Sequence, residues 1–310
     1  MRIVIALGGN ALLRRGEALT AENQRGNIAM AAASLAPLAR DNALIITHGN
    51  GPQVGLLALQ SAAGGSSEAF PLDVLDAETE GMIGYLIAQA LDNLLPAERR
   101  CACLLTQIEV DPADPAFEHP SKPIGPVFGE VEARRLADAR GWQIARDGQH
   151  YRRVVPSPAP IRILELDVIE LLVDQGVIVI CAGGGGIPTV RRVDGSLVGV
   201  EAVIDKDLAS ALLARQLGAD ALLMLTDVDA VWTGWDQPDA RALRRIAPAM
   251  IRRYPFAAGS MGPKVEAACA FVEQTGGIAG IGGLSDAQAI LAGRAGTLVA
   301  PDASAITWWD

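Results

Sequence analysis

The chain has 310 residues, half of them hydrophobic, enough to bury one large core or two modest ones and to predict a compact globular protein. Acidic residues outnumber basic ones 36 to 26, for a formal charge of -10, and no Lys/Arg-rich block offers a groove for a polyanion, so nucleic acid is not expected as a main partner. The apolar run at residues 1–7 is too short for a leader segment, and no apolar stretch approaches the roughly 18 residues of a membrane span, so no membrane association is expected.

In chain order, the apolar run at residues 3–7 ends in Gly8-Gly9-Asn10, and a helical stripe follows through Ile28, Ala31, Ala32, Leu35 and Leu38. A second run at 43–47 ends in His48-Gly49-Asn50-Gly51. It precedes a stripe of Ile83, Leu86, Ile87, Ala90, Leu91 and Leu94. Residues 111–156 read differently, with Pro112, Pro115, Pro120, Pro123 and Pro126 at one end, Pro156 at the other, a helical pattern at 130–139 and a polar turn at Asp147-Gly148. This stretch is expected to form a small inserted lid with stiff connections. Further runs at 177–181, 221–226 and 278–281 end in four glycines (183–186), in Asp227 and in Gly282-Gly283. Such alternation predicts an α/β fold: an open, mostly parallel sheet with helices on both faces. Within a single domain of residues 1–310, a substrate lobe over 1–210 and a nucleotide lobe over 211–310 are expected. Cys101, Cys103, Cys181 and Cys269 have neither zinc-type spacing nor disulfide density, and are read as reduced, mostly packed thiols of a cytoplasmic protein.

Only three of the 26 basic residues are lysine: Lys122, Lys206 and Lys264. In a chain that otherwise uses arginine, those three mark places where a compact ammonium is needed and a planar guanidinium will not serve. Lys206 stands just before a helical run at 208–217, and Lys264 opens another at 265–274. A cation in the first turn of a helix is unfavourable with the macrodipole unless an anion is shared, so the pair points to polyphosphate.

In open α/β sheets, ligands bind beyond the carboxyl ends of the strands, where glycine turns expose backbone N–H groups. The turns at Gly8-Gly9, Gly49–Gly51 and 183–186 are each compatible with a plain turn and together favour a phosphate or carboxylate, with Asn10 and Asn50 adding side-chain donors. No lysine follows a glycine and no G-x-G-x-x-G run occurs, so neither a Walker loop nor a dinucleotide fingerprint is present. Asp205 and Asp207 flank Lys206, and Asp227 and Asp229 follow the run at 221–226; these carboxylates can orient a lysine or share a magnesium ion, although Asp207 can equally serve as a helix cap. His48 either fixes its loop or touches substrate. No dedicated metal ligand is assigned.

Segments along nearly the whole chain resemble the carbamate kinases of the amino-acid kinase superfamily: residues 6–11, 48–55, 122–126, 153–158, 183–188, 201–207, 225–229 and 259–264. The resemblance implies a homodimeric enzyme of arginine degradation that interconverts carbamoyl phosphate plus ADP with carbamate plus ATP, using Mg2+. It implies carbamate or carbamoyl phosphate near Gly8, Gly9, Asn10, Gly49, Asn50 and Gly51, and nucleotide near Gly184, Gly185, Asp207, Thr226, Asp227, Met261 and Lys264. Lys122, Lys206, Lys264 and Asp205 are the expected catalytic residues. Many relatives carry lysine where this chain has Ala6, and Lys122 on the inserted segment is expected to supply the missing charge. A kinase of acylated amino acids and a catalytically silent nucleotide-binding regulator are the competing readings.

Overall fold

The computed structural model of the chain describes residues 1–13, 17–63, 70–257 and 259–310, without the side chains of Asn10, Ala11, Ala62 and Ala63. The elements begin with β1 (Arg2–Leu7), α1 (Gly9–Leu12), α2 (Ala21–Asp41), β2 (Ala43–His48), α3 (Gly51–Ala63) and α4 (Leu72–Asp92). Short strands β3 (Cys101–Cys103) and β4 (Gln107–Val110) lead to β5 (Lys122–Phe128), α5 (Glu130–Arg140), β6 (Gln143–Asp147) and β7 (His150–Val155). Next come β8 (Pro160–Ile163), α6 (Leu166–Asp174), β9 (Ile178–Ile180), β10 (Ile187–Arg191), β11 (Leu197–Gly199) and α7 (Lys206–Gln216). The remainder is β12 (Ala221–Thr226), β13 (Val231–Thr233), β14 (Arg241–Ile246), α8 (Pro248–Ile251) and α9 (Met261–Thr275), then β15 (Ile278–Gly283), α10 (Ala287–Leu291), β16 (Thr297–Val299) and β17 (Thr307–Trp308).

One ten-stranded sheet runs β13-β14-β16-β15-β12-β1-β2-β9-β3, with β17 beside β14. From β15 through β12, β1, β2 and β9 to β3 every pairing is parallel. Strands buried on both faces need apolar side chains at every position, which is why β1 reads as a continuous run. Its Ile3, Ile5 and Leu7 join the core under α2, α4 and α10, whereas Val4 and Ala6 join the core under α6, α7 and α9. Each fully buried Ile or Leu contributes about 1.5–3 kcal/mol relative to exposure.

Two expectations fail at element ends. Leu94 lies beyond the end of α4 and is exposed, because the helix stops at Asp92. Gly282 and Gly283 belong to β15 rather than to a turn after it. A Cβ on Gly282 would come within 2.9 Å of the Gly296 Cα and of Ile290, so this glycine admits a close backbone approach inside the sheet. Of the cysteines, all unpaired, Cys181 and Cys269 are buried, Cys101 is half-buried and Cys103 is exposed.

The antiparallel sheet β5-β7-β6 and α5 form a separate layer. It docks on α3, where Gly55 and Gly125 touch so closely that a Cβ on Gly55 would stand 1.9 Å from the Gly125 Cα. Val54, Ala58, Leu72, Leu75, Ile124, Val155 and Val203 make a small apolar cluster there. Residue 210, the expected junction of two lobes, lies inside α7, and the main sheet continues on both sides of it.

Candidate active site

The carboxyl ends of adjacent parallel strands bring the glycine turns together. Gly8 donates its N–H to the Leu225 carbonyl at 2.8 Å, and Gly49 donates to that of Leu7 at 3.0 Å, knitting the ends of β12, β1 and β2. A Cβ on Gly49 would lie 3.0 Å from the Gly9 nitrogen, and one on Gly8 would lie 3.8 Å from the Thr226 hydroxyl, so the turns touch each other. Thr226 donates its hydroxyl to Asp227 at 3.1 Å, and Asp227 is exposed at the end of β12. Gly51 opens α3. The Asn10 side chain lies outside the described residues.

Asn50 departs from expectation. Its side-chain nitrogen donates inward, to Asp76 and to the Thr79 hydroxyl, both at 2.9 Å, so its amide anchors the loop on α4. The glycine run at 183–186 is explained by packing as much as by ligand binding. Cβ atoms there would meet His48 at 2.3 Å, Asn50 at 2.2 Å, the Ile204 carbonyl at 2.2 Å and Ile108 at 2.6 Å in turn. Gly184, Gly185 and Gly186 also have positive φ. The loop follows β9, two strands from β1 and three from β12, with Gly184 against Asn50 and Gly185 against the Ile204 carbonyl just ahead of α7.

The three lysines converge. Asp205 caps α7, accepting the N–H groups of Asp207 and Leu208, and also receives the Lys122 ammonium at 2.5 Å. Asp207, nearly buried, takes Lys206 at 2.5 Å on one oxygen and Lys264 at 2.8 Å on the other. Asp205 is therefore the cap, and Asp207, which the sequence offered for that duty, is the bridge. Thr47 and Ser210 share a 2.6 Å hydroxyl contact that fixes the N-terminal half of α7 to β2, and Lys264 reaches Asp207 from the first turns of α9, which Met261 begins. Asp229 accepts the Trp232 indole N–H at 2.9 Å. Ala6 is fully buried in the core and brings no charge to the site.

Electrostatics follow from burial and these pairs. Burial alone would raise the Asp207 carboxyl, but the Lys206 and Lys264 ammonium groups outweigh it and hold it below the usual carboxylate range. Lys206 is lowered, by burial first and by Lys264, against the opposing pull of Asp207. His48 is buried and lowered to about 4, chiefly by desolvation; its Nδ1–H donates to the Gly49 carbonyl at 3.3 Å and its Nε2 has no partner among the described residues. The histidine is thus a neutral loop-fixing group.

Beneath the loops lies a layer that sequence reasoning missed: Asp76, Thr79 and Glu80 on α4, and Thr106. The signal was present, since Asp76, Thr79 and Glu80 interrupt the apolar stripe that continues through Ile83 and Ile87. Burial raises Asp76 well above the usual carboxylate value, against its bond from Asn50.

Residues 1–281 match the amino acid kinase family. The carbamate kinase of Haemophilus influenzae is 56% identical over 309 residues, covering all of both chains. That of Rhizobium meliloti is 55% identical over 310 residues, 99% of this chain and 96% of the relative. Among solved structures, carbamate kinase from Giardia lamblia bound to AMP-PNP superposes with a TM-score of 0.88 at 43% identity, covering 97% of this chain and 98% of that one. With its parallel sheet, its glycine turns at the strand ends and these relatives along its full length, the chain belongs to the amino acid kinase family, among its carbamate kinases.

Proposed function

We propose that the chain catalyses phosphoryl transfer between carbamoyl phosphate plus ADP and carbamate plus ATP, forming ATP in arginine degradation. The observation that carries this reading is the convergence of all three lysines on two carboxylates, Asp205 and Asp207, beside the glycine turns. Phosphoryl transfer needs positioning and charge neutralisation more than covalent help. Carbamate is itself an anionic oxygen nucleophile, so no general base is needed, and the neutral, buried His48 is left to its structural bond. One ammonium about 4 Å from the migrating charge is worth on the order of 4 kcal/mol at an effective dielectric near 20, about a thousandfold in rate.

In this reading Lys122, Lys206 and Lys264 act on the transferring group, with Asp205 and Asp207 holding them. The turns of Gly8, Gly9, Asn10, Gly49, Asn50 and Gly51 receive carbamoyl phosphate, the Gly8 and Gly49 N–H groups holding the turns to Leu225 and Leu7 rather than the ligand, and Gly184 and Gly185 close the site behind Asn50 and ahead of α7. Thr226, Asp227 and Met261 receive the nucleotide. Residues 1–210 thus serve substrate and 211–310 nucleotide, with 111–156 as the lid that presents Lys122. Magnesium enters on the nucleotide. Asp205 and Asp207 are both engaged by ammonium groups, and among the described residues no three His, Cys, Asp or Glu side chains are grouped to hold an ion. That donor set fits an ion held by phosphate oxygens and water with a carboxylate such as Asp227 beside it, and the bound ion would neutralise charge on the phosphates.

The same proposal makes the protein a cytoplasmic homodimer. Supporting the dimer, β3 is the last strand of the main sheet, and Met82 and Tyr85 on α4 are exposed; light scattering on the purified protein checks it. The function is tested by ATP formation from carbamoyl phosphate, ADP and Mg2+. Turnover on an acylated amino acid with none on carbamoyl phosphate would establish the alternative kinase, and nucleotide binding without any turnover would establish a regulator.

A further inference from the structure

Glu80 is fully buried at the third turn of α4, directly behind the glycine loop. One oxygen accepts the Gly183 N–H at 2.8 Å and the other the Thr106 N–H at 3.1 Å. Thr106 extends the clamp, its hydroxyl accepting the Ala182 N–H at 2.9 Å and donating to the Leu104 carbonyl at 3.0 Å. Glu80 thus ties the entrance of the glycine loop at Gly183 to the β3–β4 connection at Thr106, which in turn holds Ala182. The fit is tight, since the point where a Gly183 Cβ would sit is 2.9 Å from the Glu80 Cγ and 2.4 Å from the His48 Nε2. An apolar residue here would leave the Gly183 and Thr106 N–H groups without acceptors, and it is for these two donors that the fold buries a carboxyl with no counter-ion.

We propose that Glu80 is a positioning residue for phosphoryl transfer: by gripping the Gly183 and Thr106 amides it fixes residues 183–186 in the shape that faces the transferring group. The inference rests on the reading of the site given above. Around the carboxylate stand His48 from β2, Cys103 from β3, Cys181 after β9, Glu165 ahead of α6 and Asp76 on its own helix, and none of these is a cation at neutral pH. Burial raises Glu80 to about 8, against the lowering effect of its two amide bonds. The anion is the stronger acceptor, so the grip loosens as pH falls through that value and turnover rises with pH across it.

Glu80→Gln preserves shape but turns an NH2 group toward one of two N–H donors. Above about pH 8, where the parent carboxyl is charged, the variant should have a kcat roughly ten- to a hundredfold lower and a KM for ADP changed by less than about threefold, and it should lack the rising limb near pH 8 expected of the parent. Independently of any variant, the Gly183 and Thr106 amide resonances of the unmodified protein should titrate together, with a midpoint near 8. A folded Glu80→Gln enzyme with unchanged kcat and pH profile overturns the inference, as do amide resonances that stay fixed across that range. If the unmodified protein forms no ATP from carbamoyl phosphate, the reading of the site fails instead, whatever the amides do.

Discussion

Asp207→Asn asks whether one buried carboxylate organises two of the lysines. Asp207 is 4% exposed and its oxygens hold Lys206 at 2.5 Å and Lys264 at 2.8 Å. The amide keeps the shape and removes the charge, leaving two ammonium groups mutually repelling in a partly desolvated site. Removing one partner of a buried ion pair costs about 3–5 kcal/mol, which for a chain of this length lowers the melting temperature by on the order of 10 °C. Lys206 is already lowered by burial with Asp207 opposing, so losing Asp207 lowers it further. The working ammonium is lost as pH rises through the folded Lys206 value, so the variant should lose turnover at lower pH than the parent. The stabilising contribution of Asp207, whose folded value is depressed, is present above its unfolded value near 4 and fades only as pH falls toward the folded one. The melting difference should therefore be full at neutral pH and shrink in strong acid. Calorimetry and kcat against pH are the assays. A variant that melts with the parent and shows the same alkaline limb would mean that Lys206 and Lys264 are held by something other than this carboxylate.

Gly55→Ala places a methyl group 1.9 Å from the Gly125 Cα, so α3 and the inserted layer must separate. Turnover should fall by on the order of tenfold, at a stability cost of about 1–3 kcal/mol, with the insert cut faster in limited proteolysis; unchanged kinetics and cleavage would show that docking of this layer is irrelevant to catalysis. Lys122→Arg retains a charge that can still meet Asp205 but displaces it and spreads it over a plane. Single-turnover ATP formation should drop by about a hundredfold, and a near-parental rate would reduce Lys122 to simple charge screening.

Much of this molecule was legible in its residues. Continuous apolar runs ending in glycine predicted parallel strands, since a strand covered on both faces has no use for alternation. The proline-flanked stretch at 111–156 contains the antiparallel layer β5-β7-β6, and the scarcity of lysine singled out Lys122, Lys206 and Lys264 before any geometry was known. What the tertiary structure decided was partnership. Lys122 meets Asp205 across 83 residues and Lys264 meets Asp207 across 57, distances over which no local pattern operates; strand order and the start of α7 bring them together. Which aspartate caps and which bridges depends on where α7 begins, and a start two residues later would put Asp207 in the cap position. The loop at 183–186 packs on His48, Asn50 and Ile204 because β9 pairs with β2, a fact of sheet order alone. Asp76, Thr79 and Glu80 stood out as polar breaks in an apolar stripe, but their meaning required the backbone N–H groups and the Asn50 amide that only the folded chain carries to them.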